Sequence, residues 1–333
     1  MVSQAIAAWD SKRPFVLRKG ISTLSDLRDG ASAWSYPGAY PGRVYFVNNI
    51  TGNSSYDGLS WETPFAQVDQ ALLAAETYRI THATNNKMVR NVVYVQGTTT
   101  AYEKIDQDAN GVDIIGIGNR ALLGGAAGDA HIDGAGAADG MAMTDLVATW
   151  DSVLNKGGGM GVNVRNMHFS TYGNYYAVNV ETWLLSSFED CYFMNNGANS
   201  YGGLNCSLHF AGSLVRNCHA GGDAGTPAYG FSFTGGVFNQ NLIEWNWAQG
   251  RTYGFYTTDY LQGGTVVRNN TFYGGTYGLY DNSAGTTVLG LAMYSDNRCF
   301  SAGTGIQMTN GAQTRTAGNY SNSNGTTTLV DGV

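Results

Sequence analysis

The chain has 333 residues, with 46 Gly, only 5 Pro, 21 Tyr and 13% charged residues, a balance that fits short strands joined by tight turns and excludes long surface helices. A hydrophobic share of 43% excludes wholesale disorder. A net charge of −7 excludes a nucleic-acid sheath, which needs clustered Lys and Arg.

Residues 1–43 read as a separate N-terminal arm. They hold six cations against three Asp, or +3, which leaves −10 on the rest. Trp9, Arg13, Arg18 and Lys19 are its candidate anchoring residues, in a segment that is either a disordered leader or ordered only on a partner. No basic stretch precedes an apolar one here, and no run approaches ~18 apolar residues, so neither an export signal nor a membrane span is expected.

The body begins with a strand at Val44–Val47 and a polar loop to Trp61. Thr63 as N-cap and Pro64 at the first helical position predict a helix near 64–78. Phe65, Val68, Leu72 and Ala75 fall on one face of it. Strands are expected at Asn91–Val95 and Val112–Ile117. Gly116-Ile117-Gly118 lacks the helix and acidic partner of a dinucleotide site. Residues 124–161, rich in Gly, Ala and Asp, suggest an elaborated loop.

From Val164 a phrase recurs: Val164-Arg165-Asn166-Met167-His168-Phe169, then phrases centred on Asp190, Asn217, Glu244, Asn269 and Asn297, at steps of 24, 27, 27, 25 and 28 residues. Such a period marks stacked repeats. The first position (Val164, Phe188, Val215, Leu242, Val267, Ser295) and the sixth (Phe169, Phe193, Ala220, Trp247, Phe272, Phe300) are expected to point inward. The third (Asn166, Asp190, Asn217, Asn269, Asn297, with Glu244 the exception) is expected to form a tight bend, since Asn and Asp tolerate left-handed backbone. The second (Arg165, Glu189, Arg216, Ile243, Arg268, Asp296) is expected to lay an ion-pair ladder outside. Val178, Leu208, Phe231, Phe255, Leu279 and Ile306 begin a second register. Spread over 44–310, this predicts roughly ten coils of ~25 residues, a rod about 50 Å long. The tail 311–333 is expected to cap the last coil or pair with sister chains.

The first strand, the loop ending Asp57-Gly58-Leu59-Ser60-Trp61, the helix from Pro64, Ile114–Asn119 and the asparagine-bend coils resemble right-handed parallel β-helix proteins of the pectate-lyase-like superfamily. The layout of arm plus rod is similar to phage tailspikes and capsid decoration proteins. That resemblance implies an all-β, single-stranded right-handed parallel β-helix with a capping helix. It also implies a homotrimer on the virion surface, docked through residues 1–43 to a capsid or tail protein. A structural, non-enzymatic role is expected, with a tailspike-type depolymerase of host glycan as the alternative.

A glycan hydrolase needs two carboxylates about 5–10 Å apart on one exposed face. Glu181, Asp223, Asp259 and Asp281 are the candidates outside the ladder. A row of exposed tyrosines could instead bind sugar or a sister subunit, and Tyr253, Tyr256, Tyr273, Tyr277, Tyr280 and Tyr294 cluster in the last coils. His168 and His219, two coils apart at about 10 Å, cannot share a metal. Asp129, Asp133 and Asp139 match no calcium loop, and no cofactor is expected. Cys191, Cys206, Cys218 and Cys299 follow no zinc spacing and are expected as buried free thiols.

Overall fold

The computed structural model describes residues 41–82, 89–118, 131–133, 141–143, 159–171, 174–195, 201–221, 228–234, 237–258, 263–282, 292–309, 314–323 and 326–330. Trp9, Arg13, Arg18, Lys19, Asp223 and Asp259 lie outside the described residues. Within them the chain winds as a parallel β-solenoid whose strands stack into sheets of ten, nine and nine. Only Asn319–Ser323 with Thr326–Val330, at the end of the second sheet, pair antiparallel among the described residues.

Among the described residues, seven turns carry a strand in all three sheets, from the one starting at Val112–Ile117 to the one ending at Thr304–Met308. That is fewer than the ten expected. The strands Pro41–Val47 and Arg90–Gln96 belong to the first sheet alone, because the chain between them is spent on a loop and the helix.

The helix spans Val68–His82 and so begins later than expected. Phe65 is held in a parallel bridge to Val47, its N–H donating to the Phe46 carbonyl at 2.9 Å. Gln70 Oε1 then accepts the Ala66 and Gln67 N–H groups at 3.2 and 3.1 Å, satisfying donors the first turn leaves free. Val68, Ala71, Leu72 and Ala75 are buried against the first two strands of the first sheet. The helix thereby covers apolar interior and a strand edge that the first coil would otherwise expose.

The repeat stands as an architecture, but its frame shifts by one residue in two coils. The left-handed bend falls at Asn166, Asp190, Asn217, Trp245, Asn269 and Asp296, with φ between 51° and 61°, and then at Gly318. Asn297, expected in the bend, instead occupies the next position and is fully buried. Ile243 and Tyr294 therefore point inward beside Val215 and Val267, in place of Leu242 and Ser295. Ala248 and Cys299 likewise replace Trp247 and Phe300 in the core. A one-residue slip exchanges the two faces of a strand, so every assignment in those coils moves with it.

The corrected frame completes the outer ladder. Arg165 pairs with Glu189 at 2.9 Å, and Glu189 lies 3.9 Å from Arg216. Arg216 and Arg268 both reach Glu244 at 2.7 Å. Behind the bend runs a buried column that begins Met167, Cys191, Cys218 and continues Asn246, Asn270, Asn297, Asn319. Each Asn donates Nδ2 to an inward residue's carbonyl: Val215, Ile243, Val267 and Tyr294, at 2.8 to 3.0 Å. Each Oδ1 accepts the backbone N–H of the residue one coil earlier. All four cysteines are free and buried, and Cys191 and Cys218 donate their thiols to the backbone carbonyls of Glu189 and Arg216.

The second register also needs correction. Leu204 and Cys206 pair with Val178 and Val180, while Leu208 sits in an irregularity before His209 and is 40% exposed. The one extra residue there turns Leu208 out of the core.

Candidate functional site

Among the described residues, the third sheet carries five outward tyrosines on three consecutive coils. Its lower strands, Tyr229–Phe233, Tyr253–Thr257 and Tyr277–Asp281, begin Tyr-Gly and follow with a fully buried Phe231, Phe255 or Leu279. Glycine is required where the chain turns from the second sheet into the third. A Cβ on Gly254 would lie 2.6 Å from the Gly278 carbonyl oxygen and 2.8 Å from the Tyr273 nitrogen.

Two files of half-exposed tyrosines result. Tyr229, Tyr253 and Tyr277 stack at 5.3 and 5.6 Å, with ring planes 11° and 6° apart. Tyr256 and Tyr280 form the second file at 5.7 Å. The files touch through Tyr253–Tyr256 and Tyr277–Tyr280, both at 4.6 Å. Ring faces are thus largely taken up by neighbouring rings, and the grid offers edges and phenol hydroxyls. Burial raises the pKa of Tyr229, Tyr253 and Tyr256, so these phenols stay neutral and able to donate.

The Tyr256–Tyr280 column continues toward the N-terminal end as Ser232, Asn205 and Asn179. Asn205 donates Nδ2 to Asn179 Oδ1 at 2.8 Å. Asn205 is 5% exposed, and its Oδ1 is buried with no hydrogen-bond partner among the described residues. A buried carbonyl left unpaired costs about 1–3 kcal/mol, which an internal water donating to it recovers.

Of the six tyrosines expected to bind, Tyr253, Tyr256, Tyr277 and Tyr280 share this face. Tyr273 stands on the second sheet, in a separate file with Trp247 at 5.5 Å and Phe300 at 4.7 Å. That file extends through His219, Tyr192 and His168, so an aromatic ring separates the two histidines. Tyr294 is a correction: it is fully buried, and its hydroxyl donates to Asp281 Oδ2 at 2.9 Å. Burial, with Asp281 beside it, pushes the Tyr294 phenol far above its ordinary range. Asp281 is itself only 1% exposed, so it cannot serve as an exposed catalytic acid. Glu181 is half-exposed, two residues beyond Asn179. Among the described residues no His, Cys, Asp and Glu group suits a metal.

One carboxyl pair escaped the sequence reading. Asp69, in the first turn of the helix, accepts the N–H groups of Asp106 and Gln107 at 3.1 and 3.2 Å. Burial and the neighbouring Asp106 carboxyl push Asp69 up to about 7. Asp106 is held low by its hydrogen bond to Asp69 and by Lys104, whose Nζ lies 2.6 Å away. Gln67 Oε1 also accepts the Glu103 N–H at 3.2 Å. These contacts tie the helix to the following loop, and the pair acts as a clamp.

No known protein family matches the sequence, and no curated protein matches it. Among solved structures, the chain is similar to a GH136 lacto-N-biosidase from Eubacterium ramulus, with 10% identity and a TM-score of 0.37 over 77% of this chain. It spans 56% of that enzyme's length. It is also similar to YbhC of Escherichia coli, with 12% identity and a TM-score of 0.41 over 96% of this chain and 84% of the other. These likenesses are too slight to carry functional weight.

Proposed function

We propose that this protein is a surface-exposed, non-enzymatic β-solenoid of the virion decoration or fibre kind. In this reading the outer face of its third sheet binds a polyhydroxylated chain, a cell-surface glycan. The observation that carries the binding role is the five-tyrosine grid, whose ring edges and phenol hydroxyls lie half-exposed on one face. Hydroxyls repeated at about the strand spacing of ~4.8 Å suit a ligand with hydroxyls along its length.

The test is retention on a panel of capsular and lipopolysaccharide glycans, for the wild type and for the Tyr253→Ala, Tyr277→Ala double variant. At about 1 kcal/mol per lost phenol hydrogen bond, the variant should bind at least ~10-fold more weakly. A panel left unbound, or bound equally by the variant, rejects the reading.

Support for the virion role is the layout alone, a +3 arm on a −10 body. In this reading residues 1–43 dock to a capsid or tail protein, and deleting them leaves a folded rod that no longer binds its particle. Retained binding would sink the docking role.

Glu181, on the same side of the third sheet as Asn179, keeps a depolymerase as the second reading. Release of reducing ends that Glu181→Gln abolishes would establish it.

A further inference from the structure

The tyrosine face of the third sheet is built without cations. Between Asn217 and Thr314 the sequence holds three Arg and no Lys. Arg268 belongs to the first sheet, where it pairs with Glu244 at 2.7 Å, and Arg298 begins a strand of the second. Arg251 is the one that precedes a third-sheet strand, in the turn before Tyr253. On the strands Tyr229–Phe233, Tyr253–Thr257, Tyr277–Asp281 and Thr304–Met308 the one carboxyl, ammonium or guanidinium group is that of Asp281, which is buried. Thr304 and Gln307 continue the two tyrosine files into the next coil, and both are exposed.

The two files are not equivalent. Tyr280 donates its hydroxyl to Asn282 Oδ1 at 3.1 Å, an oxygen that also accepts from Thr309 Oγ1 at 3.1 Å. Tyr256 lies within hydrogen-bond reach of the same Asn282 side chain. In the first file, the hydroxyls of Tyr229, Tyr253 and Tyr277 make no hydrogen bond to any described residue. Three free donors therefore stand on consecutive coils, in a line that crosses the strands. A carboxylate or phosphate brought against them sheds its water and gains no cation in return, and such groups are bound by Arg and Lys. The chain from 217 to 314 also carries five Asp and Glu against its three Arg, a balance that repels anions. A sugar hydroxyl accepts from a phenol without either cost.

We propose that the ligand of this face is an uncharged glycan lying along the file of Tyr229, Tyr253 and Tyr277, with hydroxyls of successive sugar units accepting from the three phenols. This rests on the glycan-binding role proposed above for the face and narrows the ligand within it. Polysaccharides rich in uronate, sialate or phosphate are excluded, and the first file rather than the second reads the sugar. The glycan runs along the solenoid axis, because a free phenol recurs from coil to coil while each single strand supplies one.

The test divides a polysaccharide panel into uncharged members and members bearing uronate, sialate or phosphate, and measures retention of the full chain at low and high salt. At least one uncharged glycan should be retained, with an affinity that changes by less than ~2-fold between the two conditions, since salt screens only charge. On that glycan Tyr229→Phe and Tyr277→Phe, two coils apart, should each bind ~5-fold more weakly, and Tyr280→Phe, whose hydroxyl is taken by Asn282, less than ~2-fold. Phenylalanine keeps the ring stack, so the fold stays intact in all three. Retention of acidic glycans alone, lost as salt rises, overturns the uncharged class and leaves glycan binding standing. Retention that only one of Tyr229→Phe and Tyr277→Phe weakens, or neither, overturns the placement along the file. A panel from which nothing is retained removes the glycan-binding role itself, and this ligand with it.

Discussion

Replacing Asn270 with Ala should damage this rod far more than replacing its neighbour Asn269. Asn270 is 1% exposed. Its Oδ1 accepts both the backbone N–H and Nδ2 of Asn246 at 2.9 Å. Its Nδ2 donates to the Ile243 carbonyl and to Asn297 Oδ1, also at 2.9 Å. In Asn270→Ala the buried Asn246 N–H loses this acceptor, at about 1–3 kcal/mol, and the other lost bonds add about 1 kcal/mol each at most. Asn297 Oδ1 keeps the backbone N–H of residue 270, and Asn246 Nδ2 keeps the Val215 carbonyl, so the total is about 3–5 kcal/mol. Asn269 sits in the bend at φ 56°, where Ala costs about 1–2 kcal/mol through left-handed strain. Urea unfolding of the two variants, followed by circular dichroism, measures both. A loss under about 1 kcal/mol for Asn270→Ala, or a larger loss for Asn269→Ala, refutes the buried-ladder account.

Further outcomes follow from the same structure. Asp69, pushed up to about 7, favours folding in its protonated form. Its contribution is full below about pH 4 and is lost as pH rises through about 7. The shift sets an upper limit of about 4 kcal/mol, cut to about 1–2 kcal/mol by solvent screening at this half-exposed site. Melting temperature should therefore fall from pH 5 to pH 8 and do so less in Asp69→Asn; an equal slope in both contradicts the clamp. The four thiols should resist an aromatic disulfide reagent until the protein is unfolded, because all are buried and burial raises the Cys299 pKa. Rapid labelling of the native protein contradicts that packing.

The solenoid was legible because its period survives every change of residue. Its frame was not, in two coils, for a chemical reason. Asn serves both the left-handed bend and the buried column behind it, so Asp296-Asn297 can be read in either phase. Large aromatics misled in the same coils. Trp247 and Phe300 look like core, yet they stack outside in a file of rings, while the smaller Ala248 and Cys299 fill the interior. Four tyrosines of the grid were legible as a cluster in the last coils, whereas Tyr229, one coil earlier, was not among those expected to bind. Tyr294 belongs to a different sheet, and only strand register shows that it points inward. Asn205 was hidden because the irregularity between Cys206 and His209 breaks the alternation that would have placed it. Asp69 and Asp106 are 37 residues apart, and nothing in their local sequence announces the contact.

The most direct test of the binding account is hydroxyl-radical footprinting of the protein with and without a glycan it retains. Tyr229, Tyr253, Tyr256, Tyr277 and Tyr280 should become protected together, with Trp247 and Tyr273 on the second sheet unchanged. Protection confined to the second-sheet file, or to neither, would contradict the assignment of the third sheet as the ligand face.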